Sequence, residues 1–60
     1  MKIKIEICCD NAAFEDNLST EIVKCLMDVA MRGERADWMR GDYNVIDTNG
    51  NKVGNMKVED

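Results

Sequence analysis

The sequence contains no histidine, no proline and no pair of cysteines spaced as CxxC. Histidines and such cysteine pairs supply the ligands of most zinc sites, so their absence argues against a zinc-stabilised domain. The 3 cysteines are an odd number, and the N-terminus alternates lysine with isoleucine instead of providing the apolar run of a signal peptide. We therefore expect a reduced protein of the cytoplasm, without a disulfide framework.

Long apolar runs and a basic excess are also missing. No apolar stretch approaches the roughly 20 residues of a membrane-spanning helix, so a membrane is not an expected partner. The 12 acidic and 8 basic residues give a net charge of −4, which argues against nucleic acid because phosphate binding needs a clustered basic face. Residues 1–60 form one small domain, and domains of this size commonly gain stability from oligomerisation.

The N-terminal segment predicts a strand. Residues 1–9, MKIKIEICC, alternate strictly between two sets of side chains, and a period of two is typical of a strand with one buried face. The alternation places Cys9 in phase with the isoleucines, toward the core. It places Cys8 on the outer face.

The middle of the chain predicts a helix. Residues 10–17, DNAAFEDN, form a junction with a short turn over 11–15. Apolar spacings of three and four then predict a helix over 18–32, capped by Asn17 and ended by Gly33. The stripe expected to pack on the sheet consists of Leu18, Ile22, Cys25, Leu26 and Val29, extended by Phe14.

A second apolar group lies on another side of the same helix. A helix turns by about 100° per residue, which places this group on a side that a single sheet would leave in water. One interpretation is scattered surface residues; the other is a self-association surface, which would suit so small a domain. The group consists of Val23, Met27, Ala30 and Met31.

The C-terminal segment predicts a β-hairpin. Asn49-Gly50 is a strong signal for a two-residue turn between strands. That turn places Tyr43 on the core face and leaves an apolar spot of Ile46 and Val53 on the back face, which we add to the self-association surface. The register pairs Asp47 with Lys52, Ile46 with Val53, Val45 with Gly54 and Tyr43 with Met56.

The order strand, helix, strand, strand indicates an α+β fold with one helix on a three-stranded sheet. The third strand between the first two would make the sheet antiparallel, which we favour. A right-handed crossover would instead place the second strand beside the first. Either arrangement leaves at least one open edge strand, where such a protein pairs with itself or with a partner.

The sequence predicts no catalytic, metal or cofactor site. Cys9 and Cys25 are interpreted as small core residues, and Cys8 has no basic cluster beside it to lower its pKa. The carboxylates near residues 10–16 suit helix starts, and "DTNGN" at 47–51 lacks the closing glutamate of a calcium loop. A chain of this size also has little room for a substrate cavity, so we expect a protein that is not an enzyme.

Trp38 is the main candidate for function, within the segment RADWMR at 35–40. Tryptophan and arginine are enriched at binding hot spots, and methionine adapts its shape to a partner. We therefore predict a partner-binding site of Trp38, Met39, Arg35 and Arg40. The alternative is that Trp38 closes one end of the small core.

Three short motifs, MKIKIE, DNAAFEDN and NGNKVG, carry a resemblance. With them the chain resembles small uncharacterised accessory proteins encoded by bacteriophages of proteobacteria. Those proteins have a lysine/isoleucine strand, a "DNAAFED" turn, a helix and an "NGNxVG" hairpin. This chain departs from them at Leu18, where relatives carry proline. The resemblance implies a phage protein that binds and inhibits a host factor, defence systems included.

The leading hypothesis is a homo-oligomer, a homodimer for example, that binds a bacterial host protein in the host cytoplasm and blocks it. Self-association is assigned to Val23, Met27, Met31, Ile46 and Val53. The alternative is an oligomeric sponge that sequesters a small nucleotide-like signal between subunits. An enzyme is the third hypothesis and has the least support.

Overall fold

The computed structural model describes all residues, Met1–Asp60, as one helix on one sheet. The sheet order is β1-β3-β2, and both strand pairs are antiparallel. The α+β fold with an antiparallel sheet is thus confirmed, and the alternative with β2 beside β1 is wrong because β3 lies between them. The elements are β1 (Lys2–Ile7), a 3₁₀ turn (Ala12–Phe14), α1 (Leu18–Arg35), β2 (Gly41–Ile46) and β3 (Lys52–Glu59).

The helix begins where the sequence predicts it but without the expected cap. Asn17 precedes Leu18, and its carbonyl accepts the first helical hydrogen bond, from the N–H of Glu21 at 3.0 Å. The Asn17 side chain forms no capping hydrogen bond. The capping role predicted for this side chain is therefore wrong.

The helix ends at Arg35, not before Gly33. Gly33 is buried inside α1 because the ring of Trp38 lies on it: a Cβ at Gly33 would stand 2.5 Å from Trp38 Cζ3. The chain leaves the helix through two residues of left-handed backbone, Asp37 at φ 55° and Trp38 at φ 54°. Glycine is required at position 33 by close packing, a use that sequence spacing does not distinguish from a helix terminator.

The hairpin register is partly as predicted. Tyr43 pairs with Met56 and Val45 with Gly54, but an irregularity between Val45 and Ile46 pairs Ile46 with Lys52. An extra residue in one strand turns the following side chains to the other face. The predicted pair of Ile46 and Val53 is therefore wrong.

Val53 lies in the core and not on the back of the sheet, with 6% of its surface exposed. The apolar spot predicted on the back face is absent, and Val53 cannot belong to a self-association surface there. The outer face instead carries polar residues of all three strands, such as Lys4, Asn55 and Asp42. The buried apolar core consists of Phe14, Cys25, Val29, Val45, Val53, Met56 and Val58.

The helix lies toward β2 and leaves the inner face of β1 largely uncovered. Ile3 pairs with Val58 and Ile5 with Met56, and both partners are only 1% exposed. Ile3 and Ile5 themselves remain 40% and 43% exposed. The only helix, α1, is not apolar enough to cross a membrane.

Candidate functional site

Three apolar side chains form a line along the outside of α1. Val23, Met27 and Met31 are spaced by four residues, so they lie within about 80° of one another around the helix axis. Their exposed fractions are 50%, 59% and 50%. Cys25 and Val29, at 1% and 0%, mark the opposite side of the helix, which packs on the sheet. We call Val23, Met27 and Met31 the outer stripe.

The helix that carries the outer stripe is held against β2 by an arginine. Arg32 Nη2 lies 3.0 Å from the Asp28 carboxylate and also donates a hydrogen bond to the carbonyl of Asn44 in β2. This contact fixes one flank of α1 without using any residue of the outer stripe. The stripe is therefore presented on an ordered helix.

The four predicted partner-binding residues lie at the end of α1 (Arg35) and in the segment that follows it, and they differ in exposure. Trp38 is partly buried and packs on the core through Gly33 and Met56. Met39 is 69% exposed, while its carbonyl accepts a hydrogen bond from the Tyr43 hydroxyl at 2.5 Å. Of the two interpretations of Trp38, this packing favours the core lid, because its ring atoms Cζ3 and Cε3 lie against Gly33.

The two arginines of this group are both exposed. Arg40 forms an ion pair with Asp60, with Nη2 2.6 Å from Oδ1, and both side chains are mostly in water. Arg35 forms no ion pair. Arg35 lies four residues after Met31 and so continues the line of the outer stripe by one helical turn.

A pair of buried carboxylates that the sequence did not predict lies where α1 meets the hairpin turn. Glu21 is 6% exposed and accepts two hydrogen bonds from Thr48, from the backbone N–H at 2.8 Å and from the hydroxyl at 2.6 Å. These bonds hold the pKa of the Glu21 carboxyl below its usual value. A charged residue in an apolar helix stripe was the only signal in the sequence for this contact.

Asp47 is the second of these carboxylates. It is 5% exposed, and its Oδ1 accepts the backbone N–H of Asn51 at 2.8 Å while Oδ2 accepts a hydrogen bond from the Asn11 amide at 3.2 Å. The Asn51 N–H is the main cause of a lowered pKa at Asp47. Glu21 and Asp47 thus join the junction, the helix and the turn, which is a structural role.

Ile46 lies in a shallow cleft between α1 and the hairpin turn, of about 270 Å³, beside Lys24 and Asp28. Lys24 and Asp28 each precede a methionine of the outer stripe by three residues, so the cleft borders the stripe. The grouping of Ile46 with a self-association surface stays a prediction.

The cysteines have the predicted positions. Cys8 is exposed, Cys9 packs against the core and Cys25 is buried. A hydrogen bond from Cys8 Sγ to Asp10 Oδ2 at 3.1 Å raises the Cys8 pKa, and burial raises that of Cys25. Both shifts disfavour the reactive thiolate.

No group of three or more cysteine, aspartate or glutamate side chains is placed to hold a metal ion. Glu21, Asp47 and Cys25 are engaged in structural contacts, so we take the exposed apolar side chains as the candidate site. No family model matches the chain, and comparison with curated proteins and with solved structures finds no match to it.

Proposed function

We propose that the protein is a non-enzymatic binding protein that places the outer stripe of α1 in an apolar groove of another protein. The observation that supports this proposal is the exposure of Val23, Met27 and Met31, each half or more in water on the side of α1 opposite the core. Helices that dock in grooves contact them through side chains at such helical spacings. Exposed apolar groups that line up on one face gain free energy when a partner covers them.

The residues at the end of α1 extend the contact. Arg35 continues the line of the stripe, and Met39 is 69% exposed on the segment that follows. The two methionines of the stripe, and Met39 in the segment after α1, adapt to an irregular groove because the side chain is flexible and polarizable. Arginine adds directional hydrogen bonds at the rim of such a site.

The partner we propose is a bacterial host protein, which the bound domain blocks by occupying its groove. This choice rests on the resemblance of MKIKIE, DNAAFEDN and NGNKVG to phage accessory proteins. A defence protein of the host is one such target, and the host cytoplasm is the compartment that this function requires.

Affinity capture from a bacterial lysate tests the role of the stripe with three baits. The double variant Met27→Gln/Met31→Gln makes the stripe polar at nearly unchanged helix propensity. Leu18→Gln is the matched control, because Leu18 is 50% exposed, as Met31 is, but lies outside the stripe. We expect wild type and the control to capture the same host protein. The double variant should recover at least tenfold less of it.

Each captured protein is then purified and titrated with the same three baits by calorimetry. A partner that binds the double variant as tightly as wild type would contradict the proposal. Equal loss with Leu18→Gln would also contradict it, because the effect would then not be specific to the stripe.

A further inference from the structure

The free edge of the sheet is strand β1, and its outward backbone groups can be identified. The N–H of Cys8 donates to the carbonyl of Val53 at 2.7 Å, in continuation of the β1–β3 register. In an antiparallel pair, alternate residues bond to the same neighbour, so even-numbered residues of β1 bond to β3. The N–H and C=O groups of Ile3, Ile5 and Ile7 therefore point away from the sheet. No side-chain hydrogen bond of the protein reaches them.

The other edge strand, β2, is partly obstructed. Its outward carbonyl at Asn44 accepts the hydrogen bond from Arg32, and the carbonyl at Ile46 accepts one from Cys25 Sγ at 3.6 Å. The irregularity between Val45 and Ile46 further disturbs this edge. Such bulges and covering groups protect an edge from pairing with another chain.

The open edge of β1 borders an uncovered apolar surface. Ile3 and Ile5 are 40% and 43% exposed on the inner face of β1. Leu26, 38% exposed, lies on the flank of α1 opposite the one where Glu21 and Arg32 contact the hairpin. A strand added beside β1 would satisfy the free backbone groups and bring its own apolar face beside these side chains.

We propose that β1 pairs antiparallel with β1 of a second copy of this chain, with Ile5 on the two-fold axis, to form a continuous sheet β2-β3-β1-β1-β3-β2. The occupant follows from charge complementarity. With Ile5 opposite Ile5, Lys4 of each copy lies opposite Glu6 of the other, and Ile3 lies opposite Ile7. Opposite charges on directly paired residues stabilise a sheet.

Neighbouring registers are less favourable. A shift that places Lys4 on the axis sets two lysines opposite each other, and like charges in that position are destabilising. A shift of one residue would pair outward-pointing groups with inward-pointing ones and break the ladder. The Lys4-centred register also sets Lys2 opposite Glu6, but it keeps the pair of lysines, and a register centred on Glu6 sets two glutamates opposite each other. Of the registers that keep the outward groups paired, only the one centred on Ile5 joins opposite charges without a like-charge pair.

The assembly ends at two copies because two covering hydrogen bonds and the irregularity obstruct further pairing at β2, and a two-fold interface uses the same surface on both chains. The outer stripe of α1 stays exposed in the dimer. The inference is therefore independent of the proposed function, and each can fail without the other.

Sedimentation equilibrium of the full chain, from about 1 µM to about 1 mM, measures the assembly over the range of a weak interface. We expect the mass to rise from 6.8 kDa to twice that value and no further. A mass that stays at 6.8 kDa throughout would overturn the proposal, and so would continued growth beyond the dimer.

Two charge reversals test the register. In Lys4→Glu the introduced carboxylate faces Glu6 of the second copy, and in Glu6→Lys the introduced ammonium faces Lys4. We expect each variant alone to dissociate at least tenfold more readily than wild type. An equimolar mixture should form a heterodimer as tight as wild type within about threefold, because every pair is again of opposite charge.

Lys52→Glu is the matched control, since it changes the net charge as Lys4→Glu does but lies on β3 at the hairpin end. It should dimerise as wild type does. Single variants that remain dimeric, or a mixture that fails to restore the dimer, would overturn the pairing of β1. Loss of the dimer in Met27→Gln/Met31→Gln would overturn it as well, because self-association would then belong to the outer stripe.

Discussion

Two glycines are needed at their positions for different reasons. A Cβ at Gly33 would meet Trp38 Cζ3 at 2.5 Å and Met56 Cε at 3.0 Å, which are side-chain atoms. A Cβ at Gly54 would meet the Glu6 carbonyl oxygen at 1.9 Å, which is backbone of the neighbouring strand. Side chains can rotate away from a new methyl group, whereas a paired strand must shift as a whole.

We expect Gly33→Ala to destabilise the protein by about 1–3 kcal/mol through overpacking. In an open helix the same substitution would stabilise by about 1 kcal/mol, so the sign of the effect reports the Trp38 contact. Urea denaturation measures the free energy of unfolding of both variants, and Gly54→Ala should lower it more than Gly33→Ala does. A stabilised Gly33→Ala protein would show that the Trp38 ring does not rest on the helix.

At the scale of the elements, α1 and the hairpin turn are joined by Glu21, and the turn itself is closed by Asp47. Periodicity predicted both elements but not these contacts, because whether a carboxylate is buried depends on donors supplied by a distant segment. The predicted hairpin register is partly wrong for a similar reason. The residues around Val45 contain no pattern that predicts the irregularity, which turns the Val53 side chain into the core.

We expect stability to fall in acid as these two carboxylates protonate. Their pKa values are lowered on folding, so near and below the usual value of about 4 the unfolded chain binds more protons than the folded one. The stabilisation is complete at neutral pH, and it is lost as the pH falls through the lowered values of the folded state. Urea midpoints measured from pH 7 to pH 2 follow this loss.

For the double variant Glu21→Gln/Asp47→Asn, the urea midpoint should be lower than that of wild type at pH 7. It should also fall less as the pH is lowered. Asp16→Asn removes an exposed carboxylate and serves as the control, with the wild-type profile expected. Equal acid sensitivity in wild type and in the double variant would contradict a stabilising role for the two carboxylates.

At the scale of the whole molecule, the helix covers one side of the sheet unevenly. The alternation of residues 1–9 correctly predicted a strand and the inward direction of its isoleucines, yet Ile3 and Ile5 remain 40% and 43% exposed. Periodicity reports which way a side chain points. It does not report where across a sheet the helix lies, because that position is set by contacts such as the one between Arg32 and Asn44.

If the β1 edge joins two copies, the unfolding temperature should rise with protein concentration, because dilution favours the separated chains. Calorimetric scans of wild type at several concentrations measure this shift. Lys4→Glu should show little dependence on concentration over the same range. A wild-type unfolding temperature that is independent of concentration would contradict a folded dimer.

The position of Cys8 directly after β1 allows the proposed pairing of two copies to be measured as a distance. It is the one exposed thiol, whereas Cys25 is buried and Cys9 packs against the core, so a maleimide spin label should attach first at Cys8. In the proposed register the two Cys8 residues lie about 20 Å apart along the paired strands, at about 3.4 Å per residue. Dipolar spectroscopy measures distances in this range, so a label on this one native side chain tests how two copies pair.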